Sequence, residues 1–319
     1  MLKYIGRRLL ELIPILLVVA IIIFSIMELV PGDPVRIMMG DTATEQQIQE
    51  AREKLGLNKP YLTRLWDFLK GIFRLDFGTS YITGLSVGDE LLQRFPRTLI
   101  LALLSMAVTV IIGIPLGILC AIKAGKPADR ISLVLTLIAN SMPSFWLALL
   151  LVMLFSMQLG WLPSSGADSW KCYILPTIAS SLGSVAAIAR QTRASMLEVI
   201  RADYVTTAKS KGLSSHDVIV RHALGNALIP IITVIGSHFS FLLGGTTVIE
   251  SVFSFPGIGL YILNGINNRD YPIVRGGVLY IAFTFSILML IVDIIYAFVD
   301  PRIKSQYAVP KKHKDKQAA

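Results

Sequence analysis

Four polar side chains stand inside or beside long apolar segments of this sequence and are candidates for contact with a solute: Asn140, His238, Glu250 and Asp293. An ionisable group within a membrane-spanning segment is costly, and it therefore usually marks a functional position. His238 and Asp293 could pair with the charged ends of a substrate along a wet pathway. Asp293 lies near the inner end of its segment and could instead reach the interface or form a salt bridge.

Asn140 and Glu250 each allow two interpretations. Asn140 opens the run Asn140-Ser-Met-Pro143, which interrupts an apolar segment. The interruption could present freed backbone groups to water, or it could be a bend that serves packing alone. Glu250 falls at a predicted outer membrane boundary, where it could line the mouth of a pathway or lie solvated at the interface.

The sequence lacks the residue patterns of a catalytic or metal site. We recognise no Ser-His-Asp set and no pair of catalytic carboxylates in the sequence. The histidines lack the spacing of metal ligands. A phosphate-binding loop needs Gly-x-x-x-x-Gly-Lys-Ser/Thr, but the only Gly-Lys pair, Gly125-Lys126, is followed by Pro127. We therefore expect no catalysis, no cofactor and no metal in this chain.

The composition indicates a membrane protein. Of 319 residues, 54% are apolar and 16% are charged, whereas soluble domains carry about 25% charged residues. A helix needs about 20 apolar residues to cross the bilayer core. We predict an all-α, polytopic fold with six transmembrane helices, at Leu9–Val30, Thr98–Ile122, Ile131–Leu159, Tyr173–Ala189, Ala227–Ile249 and Val278–Val299. Serines and a glycine in the fourth favour close helix contact, so we expect it inside the bundle.

Lysines and arginines near the span ends predict that both termini are cytoplasmic. Basic residues precede the first span, separate the second from the third and the fourth from the fifth, and fill the tail. The 31–97 connection carries nine basic and nine acidic residues and thus no net bias. The net charge of +9 follows from this asymmetry and requires no nucleic-acid partner.

These spans divide the chain into an N-terminal segment with the first span (1–30), an extracytoplasmic helical lid (31–97), a transmembrane core (98–300) that contains a cytoplasmic loop (190–226), and a basic tail (301–319). Within the lid, helices are predicted at Thr44–Leu55, with Thr44 as N-cap, and at Pro60–Phe73. The lid could pack between the spans or dock an extracytoplasmic partner.

The most informative segment is a polar, basic island at Asp203–Pro230. Met196–Lys211 is rich in helix formers, and Gly212 can supply the left-handed residue that ends a helix. Ser214 is a natural N-cap for a second helix that runs to about Asn226. The two helices could form an ordinary hairpin between spans or a docking element for a cytoplasmic partner.

The island resembles the coupling loop of binding-protein-dependent ABC importer permeases, in which Glu-Ala-Ala is followed by three residues and Gly. Here Thr206, Thr207 and Ala208 precede Gly212, so the glutamate and one alanine are absent. The oligopeptide/dipeptide/nickel branch is similar over nearly the whole chain, and Gly160–Pro176 is especially close to glutathione importers. The signatures are Pro31-Gly-Asp-Pro34, Lys54-Leu-Gly-Leu57, Asp76-Phe-Gly78, Ser141-Met-Pro-Ser-Phe-Trp-Leu147, Ile174-Leu-Pro176, Arg193-Ala-Ser-Met-Leu-Glu-Val199, Asp203-Tyr-Val205, Arg221-His-Ala-Leu224, Arg269-Asp-Tyr-Pro272 and Asp300-Pro-Arg-Ile303.

The resemblance implies a B-type permease subunit with the type I importer fold, in a bacterial inner membrane, for short peptides such as dipeptides, oligopeptides or glutathione. Such a subunit pairs with a second homologous permease, two cytoplasmic ATPases that bind ATP and Mg, and an extracytoplasmic binding protein. The helix around Ala208–Gly212 would enter a groove of an ATPase. The residues implied in this coupling are Asp203, Tyr204, Ala208, Lys209, Lys211, Gly212, Leu213 and Arg221.

Two alternatives stay open. Importers of nickel or metal chelates share these signatures, so the signatures do not select the substrate. A stand-alone, proton-coupled secondary transporter could use His238 and Asp293 as a relay. Such a carrier would not need a docking island, and it would tend to show paired half-repeats with broken spans, which we do not find in the sequence.

Overall fold

The computed structural model describes residues 2–40 and 42–299, and the regular elements of this part of the chain are helices. The predicted all-α fold is therefore confirmed. The basic tail predicted at 301–319 lies outside the described residues.

Fourteen α-helices, numbered in chain order, occur in the described residues. Their bounds are α1 Leu2–Leu29, α2 Pro34–Met39, α3 Glu45–Lys54, α4 Tyr61–Phe73, α5 Val87–Ile122, α6 Pro127–Ser141, α7 Ser144–Leu151, α8 Ile174–Ile200, α9 Asp203–Ser210, α10 Ser215–Asp217, α11 Gly225–Gly245, α12 Thr247–Val252, α13 Ile258–Asn267 and α14 Tyr271–Val299. A π-helical turn at Val152–Gln158 continues α7, another at Val218–Leu224 joins α10 to α11, and a 3-10 turn at Trp170–Tyr173 precedes α8.

Five helical stretches of the described chain are long and apolar enough to cross a membrane: Arg8–Leu29, Val87–Ile122, Trp170–Ile200, Ser215–Gly244 and Tyr271–Val292. The predicted third span is not one straight helix, because α6 and its successor meet at 95°. Pro143 precedes α7 and has no N–H with which to continue the hydrogen bonds of α6. The predicted interruption at Asn140–Pro143 is confirmed, and this broken pair, counted as one span, brings the number to six.

Two predicted spans are shorter than the helices that contain them. α5 begins at Val87 rather than Thr98, and the Ser86 hydroxyl caps it by accepting a hydrogen bond from the Asp89 N–H (3.4 Å). α8 continues past Ala189 to Ile200. Both predictions were limited to the apolar residues, whereas polar helix formers extend a helix beyond the hydrocarbon core.

α8 lies at the centre of the bundle. Its apolar window is 61% buried, compared with 11% for α1, which confirms that the small-residue span packs inside. A Cβ atom on Gly117 of α5 would lie 2.5 Å from the Thr192 Cβ and 2.6 Å from the Ala189 carbonyl oxygen of α8. The two backbones therefore approach each other at a residue that has no side chain.

Ion pairs connect the lid to α1 and α14. Glu28 of α1 accepts two hydrogen bonds from Arg64 of α4 (2.9 and 2.6 Å) and one from Arg275 of α14 (2.7 Å). The Arg275 guanidinium also lies 4.0 Å from the centroid of the Phe24 ring. Thr44 caps α3 in a capping box, as predicted. One side of the lid thus packs on the spans.

Two of the sequence signatures meet at this end of the molecule, which we call the lid end. Gly32 has φ +110°, and a Cβ atom on it would overlap the guanidinium of Arg269. The neighbouring Asp270 is buried and accepts hydrogen bonds from the Ser80 hydroxyl (2.5 Å) and the Tyr81 N–H (3.2 Å). The signature residues therefore join the lid to the start of α14.

The contact between α5 and α8 yields a stability prediction. Gly117→Ala places a methyl group where the Thr192 side chain and the Ala189 carbonyl already lie, so we expect a loss of about 1–3 kcal/mol in the free energy of unfolding. Gly183→Ala is the matched control, because Gly183 lies within α8 and has no atom within 4 Å of its Cβ position. Thermal unfolding in detergent measures both. A midpoint for Gly117→Ala equal to that of Gly183→Ala would contradict the close contact.

Candidate functional site

The polar island begins with a break in the chain rather than one long helix. The helix predicted over Met196–Lys211 is wrong as a single element, because α8 ends at Ile200 and Ala202 is extended (ψ 147°) before α9 starts. At the far end of α9, Gly212 adopts φ +77°. This is the left-handed conformation predicted for the helix stop, and it is unfavourable for residues with a Cβ.

The second half of the island is a continuation of the fifth span. The Ser214 hydroxyl accepts a hydrogen bond from the Asp217 N–H (3.1 Å), as expected for an N-cap. The helix does not end near Asn226 as predicted. It passes through the π-helical turn at Val218–Leu224 directly into α11, because alanine and leucine on both sides of Asn226 favour continued helix. The second half of the island and the fifth span are therefore one continuous helix.

Ala208 does not lie at an exposed tip. It is buried together with Val205 and Val218, and partly buried Val199 packs against these three. The Ala208 methyl group therefore packs α9 onto the rest of the island. The other residues named for coupling are exposed: Asp203, Tyr204, Lys209, Lys211, Gly212, Leu213 and Arg221.

The exposed residues of the island are held in place by few polar contacts. The Asn226 side chain donates a hydrogen bond to the Tyr204 hydroxyl (2.9 Å), which ties α9 to the start of α11. Arg221 lies 3.7 Å from Asp217 on the same helix. We call this face of the island, with its three basic side chains Lys209, Lys211 and Arg221, the coupling face.

A buried ion pair stands beside the island and was missed in the sequence analysis. Asp129, near the start of α6, is 2% exposed. It accepts hydrogen bonds from the Arg193 Nε (2.7 Å) and Nη2 (2.8 Å) and from the Gly125 N–H (2.9 Å). The pair joins the connection between the second and third spans to α8. The only sequence signal was Arg193, which belongs to a signature but does not reveal its partner.

A cavity of about 230 Å³ lies where α6 and α7 bend against α8 and α11. Asn140 and His238 both line it, so two of the four polar candidates are brought together. The His238 Nδ1 is 3.2 Å from the Ser184 hydroxyl, and Ser180 also lines the wall. Ser180 and Ser184 were noted in the sequence only as packing residues, although their i, i+4 spacing puts them on one face of a helix.

Glu250 is placed differently. It is fully buried, with 0% of its surface exposed, so the interpretation of a solvated interface residue is wrong. It does not line the cavity, although its neighbours Thr246 and Ile249 do. Burial raises the pKa of its carboxyl, and hydrogen bonds to the carboxylate oppose that shift. The side chain of Asp293 lies outside the described part of the structure.

Comparison with known proteins identifies the family. Residues 113–305 match the family described as "Binding-protein-dependent transport system inner membrane component", and residues 1–102 match the N-terminal region of such membrane components. The chain belongs to this family. It is therefore a multi-pass permease subunit of the inner membrane, as the resemblance of its motifs implied.

Individual relatives agree with this assignment. The glutathione transport system permease proteins GsiC of Escherichia coli K12 and Salmonella typhimurium LT2 are each 40% identical over 304 residues, which is 95% of this chain and 99% of the relative. An inward-facing structure of the MetNI methionine ABC transporter matches with a TM-score of 0.56 at 18% identity. That match covers 66% of this chain and 96% of the other, and it establishes a shared fold.

The Asp129–Arg193 pair yields a second prediction. Arg193→Met leaves a buried carboxylate without its cation, so we expect a loss of about 1–3 kcal/mol in the free energy of unfolding. Lys59→Ala is the control, because Lys59 and Asp67 form an exposed pair (3.3 Å) worth less than about 1 kcal/mol. Denaturant unfolding of both variants in detergent provides the comparison. Equal losses of unfolding free energy in the two variants would show that the Asp129–Arg193 pair stabilises the fold no more than an exposed ion pair does.

Proposed function

We propose that this chain forms half of the pathway by which an ATP-driven, binding-protein-dependent importer moves short peptides or glutathione across the inner membrane. The observation that carries the proposal is the 40% identity to glutathione permeases along 95% of the chain. By this proposal the lid end is extracytoplasmic and the island is cytoplasmic, with both termini inside. A nickel or metal-chelate importer is the alternative within the same family.

The cavity is our candidate for the substrate pathway. It offers a solute the Asn140 amide, the Ser184 hydroxyl and the His238 imidazole, and among the described residues no Asp, Glu, Lys or Arg lines it. Neutral polar groups can replace part of the water around a peptide without holding its charged ends tightly. A solute that binds weakly to such a pathway can leave it again. Selectivity then depends on a separate binding protein.

The coupling face is our candidate for contact with the ATPases. Arg221 is exposed on the helix that continues into the fifth span, and Lys209 and Lys211 are exposed at the end of α9, which packs against that helix. Closure of an ATPase pair would push this helix and, through the apolar contact of Ala223 and Ala227 with Met196, the end of α8. By this proposal ATP and Mg bind to the two partner ATPases, the chain itself hydrolyses nothing, and a second homologous permease completes a heterodimer.

Uptake in a strain that lacks this permease identifies the substrate. Cells that carry the chain, its partner permease, the ATPases and the binding protein are given labelled dipeptides, labelled glutathione or nickel. We expect chain-dependent uptake of glutathione or dipeptides. Chain-dependent uptake of nickel alone would contradict the peptide assignment and support the alternative.

Gly212 provides a test of coupling with a matched control. Gly160 has φ +63°, compared with +77° for Gly212, and at both residues a Cβ atom would meet nothing within 4 Å. Gly212→Val and Gly160→Val should therefore incur a similar strain of about 1–2 kcal/mol. We expect Gly212→Val alone to lose substrate-stimulated ATP hydrolysis and uptake in reconstituted complexes. If Gly212→Val retained substrate-stimulated ATP hydrolysis, the turn at Gly212 would have no role in coupling.

The exposed side of the lid provides a test of partner docking. Leu62 and Trp66 of α4 are exposed, whereas Phe68 on the opposite side stacks on Phe24 of α1 (5.5 Å between ring centroids). We expect Trp66→Ser to weaken binding of the extracytoplasmic binding protein to the nanodisc-embedded complex at least about fivefold without a loss of stability. Phe68→Ala should instead lower stability. Unchanged affinity in Trp66→Ser would assign the lid to packing alone.

A further inference from the structure

A short segment turns sharply after α12 and leads into α13. After α12 the chain turns at Ser254, which has φ +43°, and the Phe255 N–H donates to the Glu250 carbonyl oxygen (2.8 Å). The segment then enters α13. We call residues 253–260 the closing segment.

The closing segment packs against residues of the cavity wall. Phe253 and Phe255 are buried in an apolar cluster with Leu101, Ala148, Leu175, Ala179 and Ile249. Ala179 and Ile249 belong both to this cluster and to the cavity wall. On the other side, the Gly166 N–H donates to the Phe253 carbonyl oxygen (3.2 Å), so the loop before α8 lies above the cluster. The two phenylalanines thus pack directly on two residues of the cavity wall.

One carboxylate holds the closing segment to its surroundings. Glu250 Oε1 accepts hydrogen bonds from the Thr98 hydroxyl of α5 (2.8 Å) and the Thr246 hydroxyl (3.3 Å). Glu250 Oε2 accepts from the Leu260 N–H (2.9 Å), and the Gly259 N–H also bonds to the carboxylate. The Thr98 hydroxyl in turn accepts from the Ile258 N–H (2.9 Å). Glu250 and Thr98 therefore connect α12, α5 and the start of α13 in one buried network.

The glycines of the closing segment fit this arrangement. A Cβ atom on Gly257 would lie 2.4 Å from the Glu250 carboxyl carbon, and one on Gly259 would lie 2.9 Å from Oε2. The chain can wrap the carboxylate this closely only because these two residues lack side chains. A buried carboxylate is stable only while its hydrogen bonds are made, so the segment and the carboxylate depend on each other.

We propose that Glu250 is a positioning residue that holds the closing segment over the substrate cavity, and that loss of its carboxylate opens the cavity towards the extracytoplasmic side. Glu250 does not contact the substrate in this arrangement. It acts through Phe253 and Phe255, whose position depends on the network around the carboxylate. The inference rests on the proposed function, which makes the cavity a pathway and the lid end extracytoplasmic.

Side-specific thiol labelling tests the proposal. The native cysteines Cys120 and Cys172 are replaced by alanine, and Gly183→Cys places a reporter in the cavity wall, where an added Cβ atom would meet nothing within 4 Å. A membrane-impermeant maleimide is added outside cells that contain the complete transporter complex. We expect slow labelling in the parent and labelling at least about tenfold faster in Glu250→Ala.

Two further variants keep the test decisive. Thr98→Val removes the hydroxyl link to Ile258 without changing side-chain volume, and it should speed labelling by a smaller factor. Asp89→Ala removes an exposed carboxylate from the same helix, α5, and should label like the parent. Folding of Glu250→Ala is judged by its amount in the membrane and its unfolding midpoint. If it does not fold, the labelling rate of Thr98→Val is compared with that of the parent instead.

The outcomes separate this inference from the proposed function. Labelling of both Glu250→Ala and Thr98→Val at the parent rate would overturn the role of Glu250, even if the parent imports substrate normally. Rapid labelling of the parent from outside would overturn it as well, since the cavity would then have no cover. Faster labelling of the variants in a chain that imports neither peptides nor glutathione would support the role of Glu250 in holding the closing segment and would reject the proposed substrate.

Discussion

Close contact between α5 and α8 is the constraint on which the rest of this structure depends. Lipid tails are as apolar as leucine, so helices in a membrane gain little from hydrophobic burial and must gain from close packing. Gly113 and Gly117 remove side chains from α5 where Ile188 and Thr192 of α8 approach. With α8 held this closely, small residues along it can face other helices without leaving large voids.

Both candidate sites are built on α8. Near its start, Ser180 and Ser184 form part of the cavity wall, and near its end Arg193 binds Asp129. The island follows directly after α8 and then continues into α11, which contributes His238 to the same cavity. Arg221 of the coupling face and His238 of the cavity thus lie on one continuous helix that packs against α8.

Buried or partly buried carboxylates fix the connections between these helices. Glu28, Asp129, Glu250 and Asp270 each accept hydrogen bonds from elements far away in sequence. Glu28 and Asp129 are paired with arginine, whereas Glu250 and Asp270 accept hydrogen bonds from hydroxyl and backbone N–H groups. Each carboxylate would be costly to bury alone, so each tolerates only the arrangement that provides its donors. Three of them act at the lid end and one beside the island.

The sequence by itself determined the all-α membrane fold, the helix stop at Gly212, the N-caps at Thr44 and Ser214, and the family. These features depend on local composition, on the conformational freedom of glycine, or on short motifs, all of which can be read along the chain. The bend at Asn140–Pro143 was also visible, because proline interrupts a helix through its own backbone.

Only the tertiary structure decided which polar residues meet. It showed that Ala208 packs inward, that Glu250 is buried rather than solvated, and that Arg193 binds Asp129. Each of these contacts joins residues from different helices, and their partners are set by how the helices pack. Helical periodicity tells which residues share a face, but it does not tell what that face contacts. Contacts between side chains of different helices therefore could not be predicted from the sequence.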